Sequence, residues 1–219
     1  MDSENKSYKR IVAFLTTITR PFIKIEVVGL ENIPKDSGGI IILNHVSLLD
    51  PVLAGIALRN TRQVRALAKE SLFSKPIIGK AMENMGHIPV HRGSHKAKDS
   101  LATALTKLDA GELVGIYPEG TVPPDLNELG SFKSGAARLA LASGVLIVPA
   151  VGWGAQKVLP RGKGKLKAIV SALFHKRVHK IVIGEPIGPF PGNPESKEKI
   201  DELTGIFKEE ILRLLPQVK

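Results

Sequence analysis

The chain has 219 residues, 43% of them hydrophobic, and carries 31 Lys and Arg against 21 Asp and Glu, a formal net charge of +10. Its length suits one domain with enough apolar content for a real core. The absence of cysteine excludes disulfides, thiolate catalysis and cysteine-based metal sites, in keeping with a reducing compartment. No run reaches the ~18 to 20 apolar residues of a membrane-spanning helix, and no secretory signal with a small-residue cleavage site is present.

In chain order, Tyr8, Ile11, Val12, Leu15, Ile18 and Phe22 recur at three- and four-residue intervals among Lys6, Lys9, Arg10, Arg20 and Lys24. This predicts an amphipathic helix within residues 1–24, suited either to a membrane interface or to the flank of its own domain. Residues 25–219 read as that domain. Residues 24–28 alternate like a short strand. Ile40-Ile41-Ile42-Leu43 is an aliphatic run that predicts a strand buried on both faces, and Pro51 suits the first turn of a helix reaching about residue 58. A strand over 64–68 delivers Lys69, and a helix over 77–85 closes at Gly86. A short strand over 88–90 ends in His91-Arg92. A helix over 97–108 leads past Gly111 to a buried strand over 113–117, which runs into Pro118-Glu119-Gly120-Thr121. An Ala-rich helix over 132–142, strands over 145–151 and 180–184, and a C-terminal helix carrying Ile200, Leu203, Phe207, Ile211 and Leu214 complete the chain. Such alternation predicts an α/β fold: a single domain whose largely parallel central sheet is flanked by helices. Strand ends converge at one edge of such a sheet, so Asn44-His45, Lys69, Arg92 and Glu119-Gly120 are expected to share one crevice.

Charge is unevenly placed. Between Leu129 and Gly184 there is no acidic residue and there are ten basic ones, the size of the chain's whole basic excess. The window reads as a loop-rich elaboration of one face, either merely solvated or seeking an anionic partner. The lack of interleaved aromatics and of any recognition-helix or zinc-finger pattern favours a lipid surface over nucleic acid.

His45 follows directly on the buried strand and Asp50 stands at the start of the next helix. In one reading Asp50 only caps that helix. In the other it turns back to accept from one imidazole nitrogen and leaves the second able to take a proton, the orienter-and-base half of a catalytic triad with no protein nucleophile beside it. His87, His91 and His95 lack acidic neighbours and are flanked by cations, which argues against a metal site. Gly162-Lys163-Gly164 lacks the spacing of a phosphate-binding P-loop.

Four blocks, in order, resemble the glycerolipid acyltransferases of the lysophosphatidic acid acyltransferase (PlsC) family. Asn44-His45-Val46-Ser47-Leu48-Leu49-Asp50 is similar to the first block, Gly86-His87-Ile88-Pro89-Val90-His91-Arg92 to the second, Tyr117-Pro118-Glu119-Gly120-Thr121 to the third and Val148-Pro149-Ala150-Val151 to the fourth. Lys69-Glu70-Ser71-Leu72-Phe73, Phe132-Lys133-Ser134-Gly135 and Gly184-Glu185-Pro186-Ile187 resemble stretches around them, so the likeness runs from about Glu26 to Ile187. One departure stands out: the family commonly has arginine and serine after E-G-T, where this chain has Val122 and Pro123.

The resemblance implies a glycerolipid acyltransferase-like fold and transfer of a fatty acyl group from a thioester, acyl-CoA or acyl carrier protein, to the hydroxyl of 1-acylglycerol-3-phosphate. A thioester is already activated, so no protein nucleophile is needed, in agreement with the absence of cysteine and of a G-x-S-x-G elbow. It implies His45 as general base oriented by Asp50. Asn44, Lys69, Arg92, Glu119, Gly120, Thr121 and Lys133 are then expected to bind substrate. Backbone amides near Gly120 and Thr121 are candidates for the oxyanion. Glu119 either ties down its loop, pairs with Arg92 or meets acceptor hydroxyls. Neither a cofactor nor a metal is expected. The implied location is the cytoplasmic face of the cell membrane, held peripherally or monotopically, with Lys157 to Lys180 turned to its anionic surface. A lysophospholipid or lyso-aminolipid acceptor, or a non-catalytic lipid-binding role, are the competing readings.

Overall fold

The computed structural model describes residues 2–91, 97–126, 128–160 and 165–219. The chain forms, in order, α1 (Asp2–Thr19), β1 (Ile23–Val28), β2 (Gly39–Leu43), α2 (Asp50–Ala57), β3 (Val64–Lys69), α3 (Glu70–Phe73), α4 (Pro76–Asn84), β4 (Ile88–Val90), α5 (Ala97–Asp109), β5 (Leu113–Ile116), α6 (Gly135–Ser143), β6 (Leu146–Trp153), α7 (Lys165–Phe174), β7 (Arg177–Ile183) and α8 (Lys197–Leu214). The strands make one sheet in the order β1-β7-β6-β2-β5-β3-β4. From β6 to β4 every neighbouring pair is parallel. β7 runs antiparallel to β6, and β1 parallel to β7.

The aliphatic run places β2 at the centre because both of its faces must be covered. Ile40 and Ile42 pack into one core with Leu139 of α6 and with Phe207 and Ile211 of α8. Ile41 and Leu43 point the other way, into a core with Leu58, Val148 and Ile181. On that second side α1 lies on α2 and α4. Its Tyr8 and Val12 are buried with Leu53 and Ile56, while Phe14 and Ile18 stay exposed. Of the two seats open to the N-terminal helix, the flank of its own domain is the one observed.

The window from Leu129 to Gly184 is not loop-rich. It contains α6, β6, α7 and a seven-residue β7. Its basic residues interrupt the apolar pattern without removing it: Ala172 of α7 is fully buried, and Ile181 to Ile183 of β7 lie in the core. Among the described residues no helix is long and apolar enough to cross a membrane.

Parallel pairing brings the C-terminal ends of β2, β3, β4, β5 and β6 to one edge, joined by the N-terminal ends of β7 and β1. Asn44-His45, Lys69 and Glu119-Gly120 therefore follow strands that finish at that edge. Arg92, His95 and Gly162-Lys163-Gly164 lie outside the described residues.

Candidate active site

The centre of this edge is the turn from β2 into α2. Asp50 is buried, and its Oδ2 accepts the His45 ring at Nδ1 (2.9 Å), the Val46 amide (2.7 Å) and the Ser47 amide (2.8 Å). The carboxylate thus orients the imidazole and ties down the turn ahead of the helix; it does not cap the helix, whose N-cap is Leu49 without a side-chain bond. With Nδ1–H given to Asp50, Nε2 is the nitrogen left to face a substrate. Ser47, fully buried, donates its hydroxyl to the Leu159 carbonyl (2.8 Å) and accepts the Leu49 amide (3.2 Å), which fixes the turn from its other side.

Glu119 supports the same turn from the end of β5. Its Oε1 accepts the His45 amide and its Oε2 the Gly130 amide, each at 2.7 Å. Burial raises its pKa above the ordinary carboxylate range; the two amides oppose that shift, while the Asp50 charge adds to it. A side chain at Gly130 would put its Cβ 2.8 Å from Oε2 and displace the Glu119 carboxylate. Of the roles open to Glu119, tying down the loops is the one the geometry displays. Asn44, expected at the substrate, instead joins β2 to β6: its Oδ1 accepts the Gly152 amide (2.8 Å) and its Nδ2 donates to the Gly152 carbonyl (3.1 Å).

Two further residues complete the surroundings. The Tyr117 ring tilts over the His45 ring, with centroids 4.5 Å apart and planes 34° apart. Its hydroxyl is buried without a protein partner, as is Asp50 Oδ1, and burial together with the Asp50 charge pushes its pKa up. His179 of β7 is buried and accepts the Ala155 amide at Nδ1 (3.1 Å). Burial lowers its pKa, against an opposing pull from Asp50. No motif marks His179, because its place depends on β7 running antiparallel beside β6.

The expected binding groups divide. Gly120 (φ 69°) closes its turn by donating its amide to the Tyr117 carbonyl (2.8 Å), so that amide is not available to an oxyanion. Thr121 is exposed beside it. Val122 is buried, 4% exposed. Lys69 at the end of β3 and Lys133 ahead of α6 are both exposed, and the Lys133 amide donates to the Pro118 carbonyl (2.8 Å). α6 begins at Gly135, three residues later than the sequence pattern places it. His87 accepts the Ala66 amide (3.1 Å), and His91 pairs with Glu70 (2.8 Å). The space against His45 is small, about 10 Å³, and is closed by Pro123, Leu126, Leu129, Trp153, Leu215 and Lys219.

A family model described as Acyltransferase matches residues 24–153, which include His45, Asp50, Glu119 and Lys133. The 1-acyl-sn-glycerol-3-phosphate acyltransferase of Bacillus subtilis is 31% identical over 192 residues, 87% of this chain and 87% of that protein. The chloroplastic 1-acyl-sn-glycerol-3-phosphate acyltransferase LPAT1 of Arabidopsis thaliana is 37% identical over 163 residues, 73% of this chain and 45% of its own length. The chain thus spans less than half of that relative. The crystal structure of the 1-acyl-sn-glycerophosphate acyltransferase PlsC from Thermotoga maritima matches with a TM-score of 0.67 at 27% identity, covering 97% of this chain and 78% of that one.

Proposed function

We propose that this chain, which belongs to the PlsC-type acyltransferase family, moves a fatty acyl group from a thioester to the free hydroxyl of 1-acylglycerol-3-phosphate, giving phosphatidic acid. The observation that carries this reading is the His45–Asp50 contact of 2.9 Å, at the finishing end of a central parallel strand and inside the matched region. As the acceptor oxygen attacks the thioester carbonyl, His45 Nε2 takes its proton, and Asp50 holds the tautomer and steadies the imidazolium. Collapse of the tetrahedral intermediate breaks the carbon–sulfur bond, and the thiolate leaves with the proton held on His45. The oxyanion is met by the Thr121 amide, because that of Gly120 is engaged in its turn. The donor is acyl-CoA or acyl carrier protein, and its entry requires Pro123, Leu126 and Leu129 to give way, since 10 Å³ holds about one water.

Val122 favours a second reading of the acceptor. Where relatives place an arginine, an apolar side chain stands buried, so phosphate charge falls to Lys69, Lys133 and Arg92. A lysophospholipid or lyso-aminolipid with another headgroup suits such a site. Thiol release from acyl-CoA, measured with a panel of lysolipids for the wild type and His45→Ala, decides both points. Release dependent on 1-acylglycerol-3-phosphate and abolished in a folded His45→Ala protein supports the lead reading. Preference for another lysolipid supports the second. Turnover retained without His45 overturns the mechanism, and no release with any acceptor leaves a lipid binder.

A further inference from the structure

The helix α7 is apolar on both of its sides. Val170 (44% exposed), Leu173 (53%) and Phe174 (79%) form one outward stripe at three- and four-residue spacing. On the inner side Ala172 is fully buried and Ile169 faces a cleft. Packing on its own domain accounts for the inner side only. The rim is cationic: Lys167 and Lys176 are exposed at the two ends of the stripe and Lys157 on the turn before it. No acidic residue occurs between Leu129 and Gly184.

Position adds to composition. Trp153 of β6 pairs with Lys180 of antiparallel β7, so the junction of α7 and β7 projects beyond the edge to which β2 brings His45. Behind the stripe lies an apolar cleft of about 200 Å³ lined by Ile18, Phe22, Leu49, Leu159 and Ile169. Leu49 is the residue before Asp50.

We propose that α7 is a membrane-seating wedge. Val170, Leu173 and Phe174 enter the acyl boundary of an anionic bilayer, while Lys157, Lys167 and Lys176 meet its headgroups. This holds the His45 edge against the phase that contains lipid substrates. A second copy of the chain is the poorer occupant. Two-fold pairing through the stripe would bring the lysines of both copies together with no acid in the window to receive them. An anionic bilayer covers the apolar side chains and neutralises the cations at once. The choice of lipid stands without the reaction; the purpose of the seat rests on the acyl-transfer reading.

Because the chain has no cysteine, Phe174→Cys carries a polarity-sensitive fluorophore at one defined place. With vesicles of phosphatidylcholine and phosphatidylglycerol its emission should shift to the blue and brighten, less so in high salt and little with phosphatidylcholine alone. The same label at Leu212→Cys, on α8 across the sheet, should not respond. Leu173→Ser with Phe174→Ser should reduce vesicle flotation about tenfold or more and leave thiol release from dispersed short-chain substrates unchanged. A protein that floats with vesicles while the label at 174 stays in water overturns the wedge, as does a double variant that floats like the wild type. Burial of the label by self-association in lipid-free solution overturns it as well. If the label responds as expected but no thiol is ever released, the acyl-transfer reading fails and the wedge stands.

Discussion

At its two ends the sheet buries charge in different ways. Where the strands begin, Arg62 donates to the carbonyls of Pro34 (2.9 Å), Ser37 and Gly111. Arg65, 5% exposed, donates to Glu112 and to the Met85 carbonyl (2.6 Å). Burial alone would raise the Glu112 carboxyl, but Arg65 and Lys107 outweigh it and hold it below its ordinary range. Where the strands finish, Asp50 Oδ2 takes three donors and Glu119 two amides, yet no described residue takes His45 Nε2. Both clusters tie together loops distant in sequence. The first closes on the protein and holds the fold, while the second stops one nitrogen short, which leaves an atom for chemistry.

The largest expected effect tests that difference directly. His45→Ala should cut turnover by about 10² to 10⁴, and Asp50→Asn heavily as well through the wrong tautomer, with urea midpoints near wild type for His45→Ala; steady-state thiol release and denaturation read the two together. A His45→Ala protein that loses stability and keeps its rate would make the two ends alike. Next, Arg65→Met should take from Glu112 its buried partner, Lys107 remaining, and lower stability by about 1 to 3 kcal/mol, with kcat per folded molecule retained. A fall in kcat at full stability would show that the starting edge is coupled to chemistry.

Acid should loosen the starting edge too. Burial, reinforced by the Arg65 charge, lowers His87 from its ordinary 6.5 to about 4. Between those values the unfolded chain binds a proton that the folded chain does not. The contribution is therefore complete above the upper value and lost as pH falls toward the lower one, up to about 3 kcal/mol. Urea midpoints across that window should slope less for His87→Gln than for the wild type, the remainder including His179, which burial also lowers. Equal slopes would remove His87 as the cause. The smallest effect is at the exposed cations: Lys69→Ala or Lys133→Ala should raise KM for a phosphate-bearing acceptor a few-fold, about 1 kcal/mol or less, and leave kcat alone. A matching rise with an uncharged acceptor would mean that these lysines do not read charge.

Much of the fold was legible locally. Ile40 to Leu43 announced a strand covered on both sides, and the spacing of His45 and Asp50 across the start of a helix placed imidazole and carboxylate together. The window after Leu129 misled because its lysines broke the apolar period of α7, a helix that becomes evident only once Ala172 finds a core, and shortened β7, expected over 180–184 and found from Arg177. Glu119 was visible as a candidate, but which of its roles applied depended on a backbone amide 74 positions away. His179 carried no signal, since nothing beside it in the chain predicts Ala155 as its partner.

The order of residues by itself determined what near neighbours can settle: strand and helix types, the edge where strands finish, and the turn in which Asp50 reaches back to its own Val46 and Ser47 amides. Tertiary structure alone decided what depends on chain segments meeting. Asn44 joins Gly152, 108 positions away, the reversed β7 brings buried His179 beside β6, and α7 keeps one apolar side in water. The physical reason is that periodicity and turn chemistry act over a few bonds, whereas burial and hydrogen-bond partners across a sheet are set by which strands lie side by side.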